Sequence, residues 1–223
     1  MNGIWKPMKN NPAYKRKEAE RKARIDQILR AARNIFLKKG YWGATMRDIA
    51  NEAALSTGAV YFYFEGKNEI YGKICEEIML LTVSLVKKGR RSSGTLRDRI
   101  KAITDAYVGF YVNYREDFDL LDSAYRQITL PEKLNQSIEK LVAELLSYVA
   151  EIFEDAVSNG ALSKNTDTLQ LTMNAWSAIE GILYIQKRNF LTNVDFSLEA
   201  LIEKQVGIIE SGIRHEFGNK GTS

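Results

Sequence analysis

Hydrophobic residues recur every three or four positions along most of this 223-residue chain, and strand-like alternation persists nowhere. That spacing is typical of amphipathic α-helices that bury one face. We therefore expect an all-α fold. The pattern predicts helices at residues 17–39, 45–53, 56–64, 67–87, 95–114, 116–127, 131–159, 166–188 and 197–217.

Two of the predicted helices are short, with only a tight turn between them. Thr45 can cap the first, whose inward positions include Ile49 and Ala50. Ser56 or Thr57 can cap the second, which begins with small or hydrogen-bonding side chains. Such a helix start can enter a major groove, and its free N–H groups favour phosphate oxygens. The pattern therefore indicates a helix-turn-helix.

Positive charge is concentrated at the start of the chain. Residues 1–67 carry a net charge of +8 and residues 68–223 carry −4, which together give the chain its net +4. A basic segment beside a helix-turn-helix is typical of a protein that meets a polyanion at that end. The alternative is that the basic residues from 15 to 24 only form the solvated face of a helix.

A larger set of fixed spacings surrounds the two short helices. The set comprises Phe36, Gly40, Thr45, Ile49, Ala50, Ser56, Gly58, Tyr61, Phe64 and Lys67. With these residues, the stretch from about 24 to 70 resembles the DNA-binding domain of the tetracycline-repressor (TetR) family of bacterial transcription regulators. Ala54 departs from the family's pattern, which usually has glycine in the turn. A positive φ costs a non-glycine residue on the order of 1 kcal/mol, so the turn remains possible.

The resemblance implies roles for individual residues. Thr45, Arg47 and Lys67 would hold phosphates, and the Tyr61 hydroxyl would donate to another, although core packing is the alternative for Tyr61. Thr57, Ala59 and Phe62 would vary the base preference, whereas Phe64 is expected in the core. The implied DNA-binding residues are Thr45, Arg47, Ser56, Thr57, Gly58, Ala59, Tyr61, Phe62, Tyr63 and Lys67.

The domain boundaries follow from the same pattern. We expect a flexible basic arm at 1–16, a helix-turn-helix DNA-binding domain at 17–66, a helical effector-binding and dimerisation domain at 67–217 and a tail at 218–223. The fold class is thus all-α, with three helices in the N-terminal domain.

Aromatic side chains in the predicted C-terminal domain are candidates for an effector pocket. Inward-facing phenols and indoles have polar tips that need partners, and a cavity for an amphipathic small molecule uses such groups. Aromatic residues at helical spacing also build ordinary cores, and only the resemblance to ligand-binding regulators favours the pocket. The candidates are Tyr107, Phe110, Tyr111, Tyr114, Tyr125 and Trp176.

The last two predicted helices are apolar on more than one side. Such helices are either central in a monomer or shared with another chain. Similar regulators dimerise through their last two helices, so the resemblance implies a homodimer here. The implied interface residues are Ala178, Gly181, Ile182, Ile185, Ile202 and Ile209. Glu180 on this surface is expected to be an exposed acid, and a contact with the effector or with the partner chain is the alternative.

The sequence gives little support for an enzyme, a metal-binding protein or a membrane protein. Cys75 and His215 are the only cysteine and histidine, so no zinc cluster or Cys–His pair is expected, and no phosphate-binding glycine loop is present. We expect no enzyme, no cofactor and no metal. Without a disulfide framework, a signal-peptide stretch or a membrane-length apolar run, a cytoplasmic protein without a membrane partner is expected.

The leading hypothesis is a ligand-responsive repressor that leaves a palindromic double-stranded DNA operator when it binds an amphipathic or apolar small molecule. One alternative is a nucleoid or architectural protein that binds DNA without sequence preference. Another is a peripheral membrane or scaffold protein whose basic first helix lies on anionic lipid, although that hypothesis leaves residues 56–67 unexplained.

Overall fold

A computed structural model describes residues 12–91, 93–188 and 197–217, except for the side chains of residues 125–127 and 216. The described residues form helices and no strand, which confirms the all-α prediction. The helices are α1 (Pro12–Gly43), α2 (Met46–Glu52), α3 (Thr57–Tyr61), α4 (Lys67–Gly89), α5 (Leu96–Asn113), α6 (Arg115–Gln127), α7 (Glu132–Ser158), α8 (Thr168–Arg188) and α9 (Leu198–Phe217).

Helix α1 differs from its predicted bounds. It begins at Pro12, five residues before the predicted start at Lys17, so residues 12–16 are helical rather than part of a loose arm. Proline is favoured in a first turn because its missing N–H would have no helical partner there. At Gly40 the backbone leaves helical geometry with φ 67° and ψ 170°, a region that glycine adopts without steric cost.

The chain divides into two compact units. The N-terminal unit comprises the residues up to Glu76 together with Leu120–Asn135, and the C-terminal unit comprises Glu77–Asp119 and the residues from Gln136 onward. The sequence predicts the boundary between residues 66 and 67, whereas the structure places it ten residues later, inside α4.

In the N-terminal unit, α1, α2 and α3 pack around a small apolar core. Its fully buried side chains are Ile28, Ala32, Ile49, Val60, Ile70 and Ile74. The rings of Phe36 and Tyr71 meet edge to face at 4.8 Å, and the Tyr71 hydroxyl donates to the Leu120 carbonyl at 2.8 Å. Cys75 is fully buried here, and burial raises the pKa of its thiol to about 12. The thiol is therefore a core group, as predicted.

In the C-terminal unit, α5 packs on α8 and α9, and α8 packs on α9. The largest fully buried side chains are Phe110, Tyr111, Phe153, Leu162 and Leu183. Gly89, at the end of α4, allows close packing on α5, because a Cβ there would lie 2.5 Å from the Ala106 Cβ. Arg97 also joins α5 to α9 through an ion pair with Glu210.

Candidate functional site

The first helix of the helix-turn-helix is fixed at its start by a capping box. The Thr45 hydroxyl accepts from the Asp48 backbone N–H at 3.1 Å, and the Asp48 carboxylate accepts from the Thr45 backbone N–H at 3.1 Å. The Lys39 ammonium donates to the same carboxylate at 2.7 Å. These hydrogen bonds, with that from Lys39 the largest contribution, lower the pKa of Asp48. The predicted cap at Thr45 is therefore confirmed, and Lys39 ties it to α1.

The turn between α2 and α3 has the strained conformation that the missing glycine implied. Ala54 lies in the left-handed region with φ 53°, which costs an L-residue roughly 1–2 kcal/mol. The surrounding hydrogen bonds hold it there. The Leu55 backbone N–H donates to the Ala50 carbonyl at 2.9 Å, and the Gln27 amide of α1 donates to the Ala53 carbonyl at 2.6 Å.

Ser56 caps the second helix, because its hydroxyl accepts from the Ala59 backbone N–H at 3.1 Å. Val60 is fully buried and anchors α3 to the core. Gly58 is exposed, and a Cβ built on it meets nothing within 4 Å, so the start of α3 faces open space. The first turn of α3 thus presents small side chains to the outside.

Aromatic side chains are exposed beyond the end of α3. Tyr61 is 53% exposed and Phe62 is 78% exposed, and the rings of Phe62 and Tyr63 meet edge to face at 5.1 Å. Phe64 is buried, as predicted. The exposure of Tyr61 excludes the core-packing alternative for that residue. Exposed aromatic side chains that lie next to one another are typical of binding surfaces.

Lys67, predicted to contact a phosphate, is hydrogen-bonded to the protein's own backbone. Its ammonium donates to the Tyr41 carbonyl at 2.9 Å and to the Ala44 carbonyl at 3.0 Å, and it lies 4.5 Å from the centre of the Tyr41 ring. Two of the three ammonium N–H groups are therefore used inside the protein. Lys67 holds the end of α1 against the start of α2, a role that the sequence did not reveal.

A small cavity of about 30 Å³ lies in the C-terminal unit between α5, α7, α8 and α9. It has room for about one or two water molecules, far less than the several hundred Å³ of a ligand pocket. Its wall is almost entirely apolar. The lining residues are Ile100, Ile103, Thr104, Tyr107, Val149, Ile152, Ala175, Trp176, Ile179 and Ile209.

Only some of the predicted effector residues line this cavity. Tyr107 and Trp176 line it, with ring centroids 4.6 Å apart. Phe110 and Tyr111 are each 1% exposed and do not line the cavity, and Tyr114 is exposed. The Tyr125 side chain lies outside the described residues. The isoleucines of the wall were not predicted, because aliphatic side chains at helical spacing, such as Ile100 and Ile103 on α5, are also typical of an ordinary core.

Glu180 is half-buried rather than exposed, contrary to the prediction. It accepts a hydrogen bond from the Tyr107 hydroxyl. The inward phenol thus has the polar partner that burial requires.

The predicted interface residues also have different environments. Ile202 is 4% exposed and belongs to the core of its own chain, so that prediction is wrong. Gly181 and Ile185 are exposed, and Ala178, Ile182 and Ile209 are half-buried. Exposed residues occupy every fourth position of α8 and form one stripe. This α8 stripe consists of Leu169, Met173, Ser177, Gly181 and Ile185.

Within the described residues, no helix is long and apolar enough to cross a membrane. Nor do His, Cys, Asp and Glu side chains in that part of the chain come together in threes to hold a metal ion.

These features define a class of fold: an all-helical protein whose N-terminal unit contains a helix-turn-helix, a motif typical of DNA-binding proteins. Residues 28–74 match the family model described as bacterial regulatory proteins, tetR family. This segment of the chain, which contains the helix-turn-helix, is therefore similar to the DNA-binding part of that family.

One curated relative is the HTH-type transcriptional activator FasR of Mycolicibacterium smegmatis. The two proteins are 30% identical over 101 residues, which cover 45% of this chain and 46% of FasR. The match thus spans about half the length of that relative.

Two solved structures share the fold. FadR from Bacillus subtilis in complex with stearoyl-CoA has a TM-score of 0.69 at 19% identity, covering 84% of this chain and 98% of FadR. AibR in complex with isovaleryl coenzyme A and operator DNA has a TM-score of 0.65 at 18% identity, covering 83% of this chain and 97% of AibR.

The structural role of Lys67 can be separated from DNA binding by two matched substitutions. Lys67→Met keeps the length of the side chain but removes both donors to the backbone carbonyls, so the free energy of unfolding should fall by about 1–3 kcal/mol. Arg47→Met, at an exposed position on α2, should leave stability within about 0.5 kcal/mol of the original. Urea unfolding of the free protein measures both changes. Equal stability of the two variants would contradict the role assigned to Lys67.

Proposed function

We propose that the chain represses transcription as a homodimer, with one α3 of each protomer in a half-site of a two-fold symmetric operator, and that a small molecule releases it. The exposed first turn of α3 is the observation that carries this proposal. It presents Gly58 to open space on a helix that Val60 anchors rigidly. A short anchored helix with small residues at its start fits a major groove.

The surrounding residues suit the division of labour between phosphate and base contacts. Arg47 is exposed on α2, and the exposed Tyr61 hydroxyl can donate to a phosphate oxygen. Thr57 and Tyr63 are half-exposed on either side of Gly58 and would contact bases. The Lys67 ammonium donates two of its N–H groups to backbone carbonyls, and the third can donate to a phosphate.

Selection from a randomised DNA library tests sequence-specific binding. The wild-type protein should enrich a two-fold symmetric site that it binds about 10³-fold or more tightly than unrelated DNA. Thr57→Ala should change the bases preferred inside each half-site, whereas Lys140→Ala, at an exposed position on α7, should leave them unchanged. Enrichment of no sequence would favour the alternative of an architectural protein and overturn the operator.

The α8 stripe supports the proposal that two protomers associate through α8 and α9. Apolar Met173 and Ile185 are both 44% exposed, and Ile208 on α9 is 55% exposed. Gly181 and Gly212 have open space above them, which lets a partner helix approach closely. Two protomers reading adjacent half-sites also give more affinity than one short recognition helix.

Gly181→Trp tests the interface without disturbing the protomer. A Cβ at Gly181 meets nothing within 4 Å of its own chain, so the bulky ring should clash only with a partner. We expect a monomer by light scattering and at least about a 10-fold loss of operator affinity, equivalent to about 1.4 kcal/mol. Ala143→Trp, on the exposed side of α7, is the control. A dimeric Gly181→Trp variant would place the interface elsewhere.

We propose an acyl compound, such as an acyl-CoA thioester, as the effector. The cavity wall is chemically suited to an acyl chain, since it consists mainly of isoleucine, valine, alanine and aromatic carbon. FadR and AibR share the fold and were solved with acyl-CoA ligands. The cavity of about 30 Å³ must expand to admit such a chain, so binding would favour a different packing of α5, α7, α8 and α9. A ligand that favours one packing shifts the population toward it.

The shift has a covalent path to the DNA-binding helices. Helix α4 is continuous across the boundary between the two units, because Lys67–Glu76 belong to the N-terminal unit and Glu77–Gly89 to the C-terminal unit. A change in the packing of its second half would therefore act on the helix-turn-helix through the continuous backbone of α4.

Titration of the operator complex with isovaleryl-CoA, octanoyl-CoA and stearoyl-CoA tests the effector, with free coenzyme A as the control. At least one thioester should release the DNA, and free coenzyme A should not. Ala175→Val adds two methyl groups to the cavity wall and should weaken the response about 10-fold, equivalent to about 1.4 kcal/mol. Ala143→Val should not weaken it. Release by free coenzyme A alone would contradict a binding site for the acyl chain.

A further inference from the structure

The N-terminal part of α1 extends beyond the core of its unit. Every residue from Pro12 to Arg24 is exposed, and the first buried residue of the helix is Ile28. At a rise of 1.5 Å per residue, the segment from Pro12 to Asp26 is about 22 Å long. A helix of this length with no buried face gains nothing from packing, so its presence calls for another partner.

The contacts between α1 and α2 give the direction of this segment. Lys39 contacts Asp48 near the start of α2, whereas Gln27 donates to the Ala53 carbonyl at its end. The two helices therefore run in opposite directions. Toward its N-terminus, α1 therefore passes the end of α2 and reaches the turn that connects α2 to α3. The exposed segment thus continues on the side of the helix-turn-helix where α3 starts.

Charge is segregated around the exposed segment. Lys17, Arg21 and Arg24 follow one another at spacings of four and three residues, so they share a face of the helix. The same face continues into the buried Ile28 and Ile35, which face the rest of the N-terminal unit. We call Lys17, Arg21 and Arg24 the α1 basic stripe.

The other face of this segment has mixed charge. Lys15 and Lys22 share it with Glu18 and Asp26, again at helical spacing. Neither Lys17 nor Arg21 forms an ion pair with any part of the chain that the structure describes, and both are exposed. Lys15 and Lys22 form no ion pair there either, but Glu18 and Asp26 on the same face offset their charge, whereas the α1 basic stripe contains no acid.

We propose that the α1 basic stripe binds backbone phosphates of the DNA that flanks each half-site, as a second DNA-binding element outside the helix-turn-helix. The inference rests on the proposed operator binding. Lys17 and Arg21 lie about 6 Å apart along the helix axis, and a DNA strand carries one phosphate per about 3.4 Å of its axis. The stripe can thus meet successive or alternate phosphates of one strand. Continuity with the helix-turn-helix favours DNA over an anionic membrane as the partner.

Two double variants with the same change of charge test the proposal. Lys17→Gln with Arg21→Gln removes two charges from the stripe, and Lys15→Gln with Lys22→Gln removes two from the mixed face of the same segment. Glutamine is a good helix former, so α1 should persist in both, which circular dichroism checks. Operator affinity is measured against salt concentration for a long duplex and for one trimmed to the half-sites.

On the long duplex, the stripe variant should lower the slope of log affinity against log salt by about 3.6, since the dimer loses four phosphate contacts and each contributes about 0.9. Its affinity at about 0.1 M salt should fall roughly 10³-fold or more. The mixed-face variant should change the slope by less than half as much. On the trimmed duplex, the stripe variant and the wild type should have nearly equal slopes.

Equal slope changes in the two variants on the long duplex would show an effect of net charge alone and overturn the proposal, as would no change in either. Binding of the wild type to anionic vesicles, lost only in the stripe variant while the DNA slopes stay equal, would assign the stripe to lipid instead. Operator specificity is measured separately by library selection. A wild type without sequence preference would overturn the proposed function, while the difference in slope on unrelated DNA would still test the stripe.

Discussion

The ammonium of Lys67 is the contact on which the geometry of the helix-turn-helix depends. It reaches from the first residue of α4 to the carbonyls of Tyr41 and Ala44, which lie where the chain leaves α1 for α2. Backbone carbonyls at a helix end have no helical donor, and leaving them unpaired in a half-buried position is costly. One side chain thus satisfies the end of α1 and fixes where α2 begins relative to α4.

The capping box at Thr45 and the strained turn at Ala54 complete this arrangement. Two side chains of α1 donate hydrogen bonds to opposite ends of α2: Lys39 to the Asp48 carboxylate and Gln27 to the Ala53 carbonyl. The left-handed conformation of Ala54 persists because these contacts and the burial of Val60 overdetermine the path of the chain. A recognition helix of five residues cannot be stable alone, so its orientation derives entirely from the surrounding helices.

The C-terminal unit is closely packed but contains a small apolar cavity. The wall of the cavity between α5, α7, α8 and α9 is apolar, and the half-buried hydrogen bond from Tyr107 to Glu180 joins α5 to α8. Because a packed core changes between discrete arrangements rather than deforming continuously, enlarging this cavity would move whole helices.

The sequence by itself determined the helices, the cap at Thr45, the strained turn at Ala54 and the outward direction of the first turn of α3, because helical spacing and capping depend on residues within one or two turns of each other. The division of the N-terminal segment into a basic stripe and a mixed face also follows from helical spacing, since Lys17, Arg21 and Arg24 lie within the predicted helix at 17–39, whereas only the structure shows that this part of α1 is exposed throughout. Only the tertiary structure decided that Lys67 binds carbonyls 23 and 26 residues away. It also decided that Ile202 is buried whereas Gly181 is exposed. The same holds for the cavity, which is surrounded mainly by isoleucines rather than by a ring of aromatic residues. These outcomes depend on which helix faces pack together, and residues far apart in the chain determine that packing.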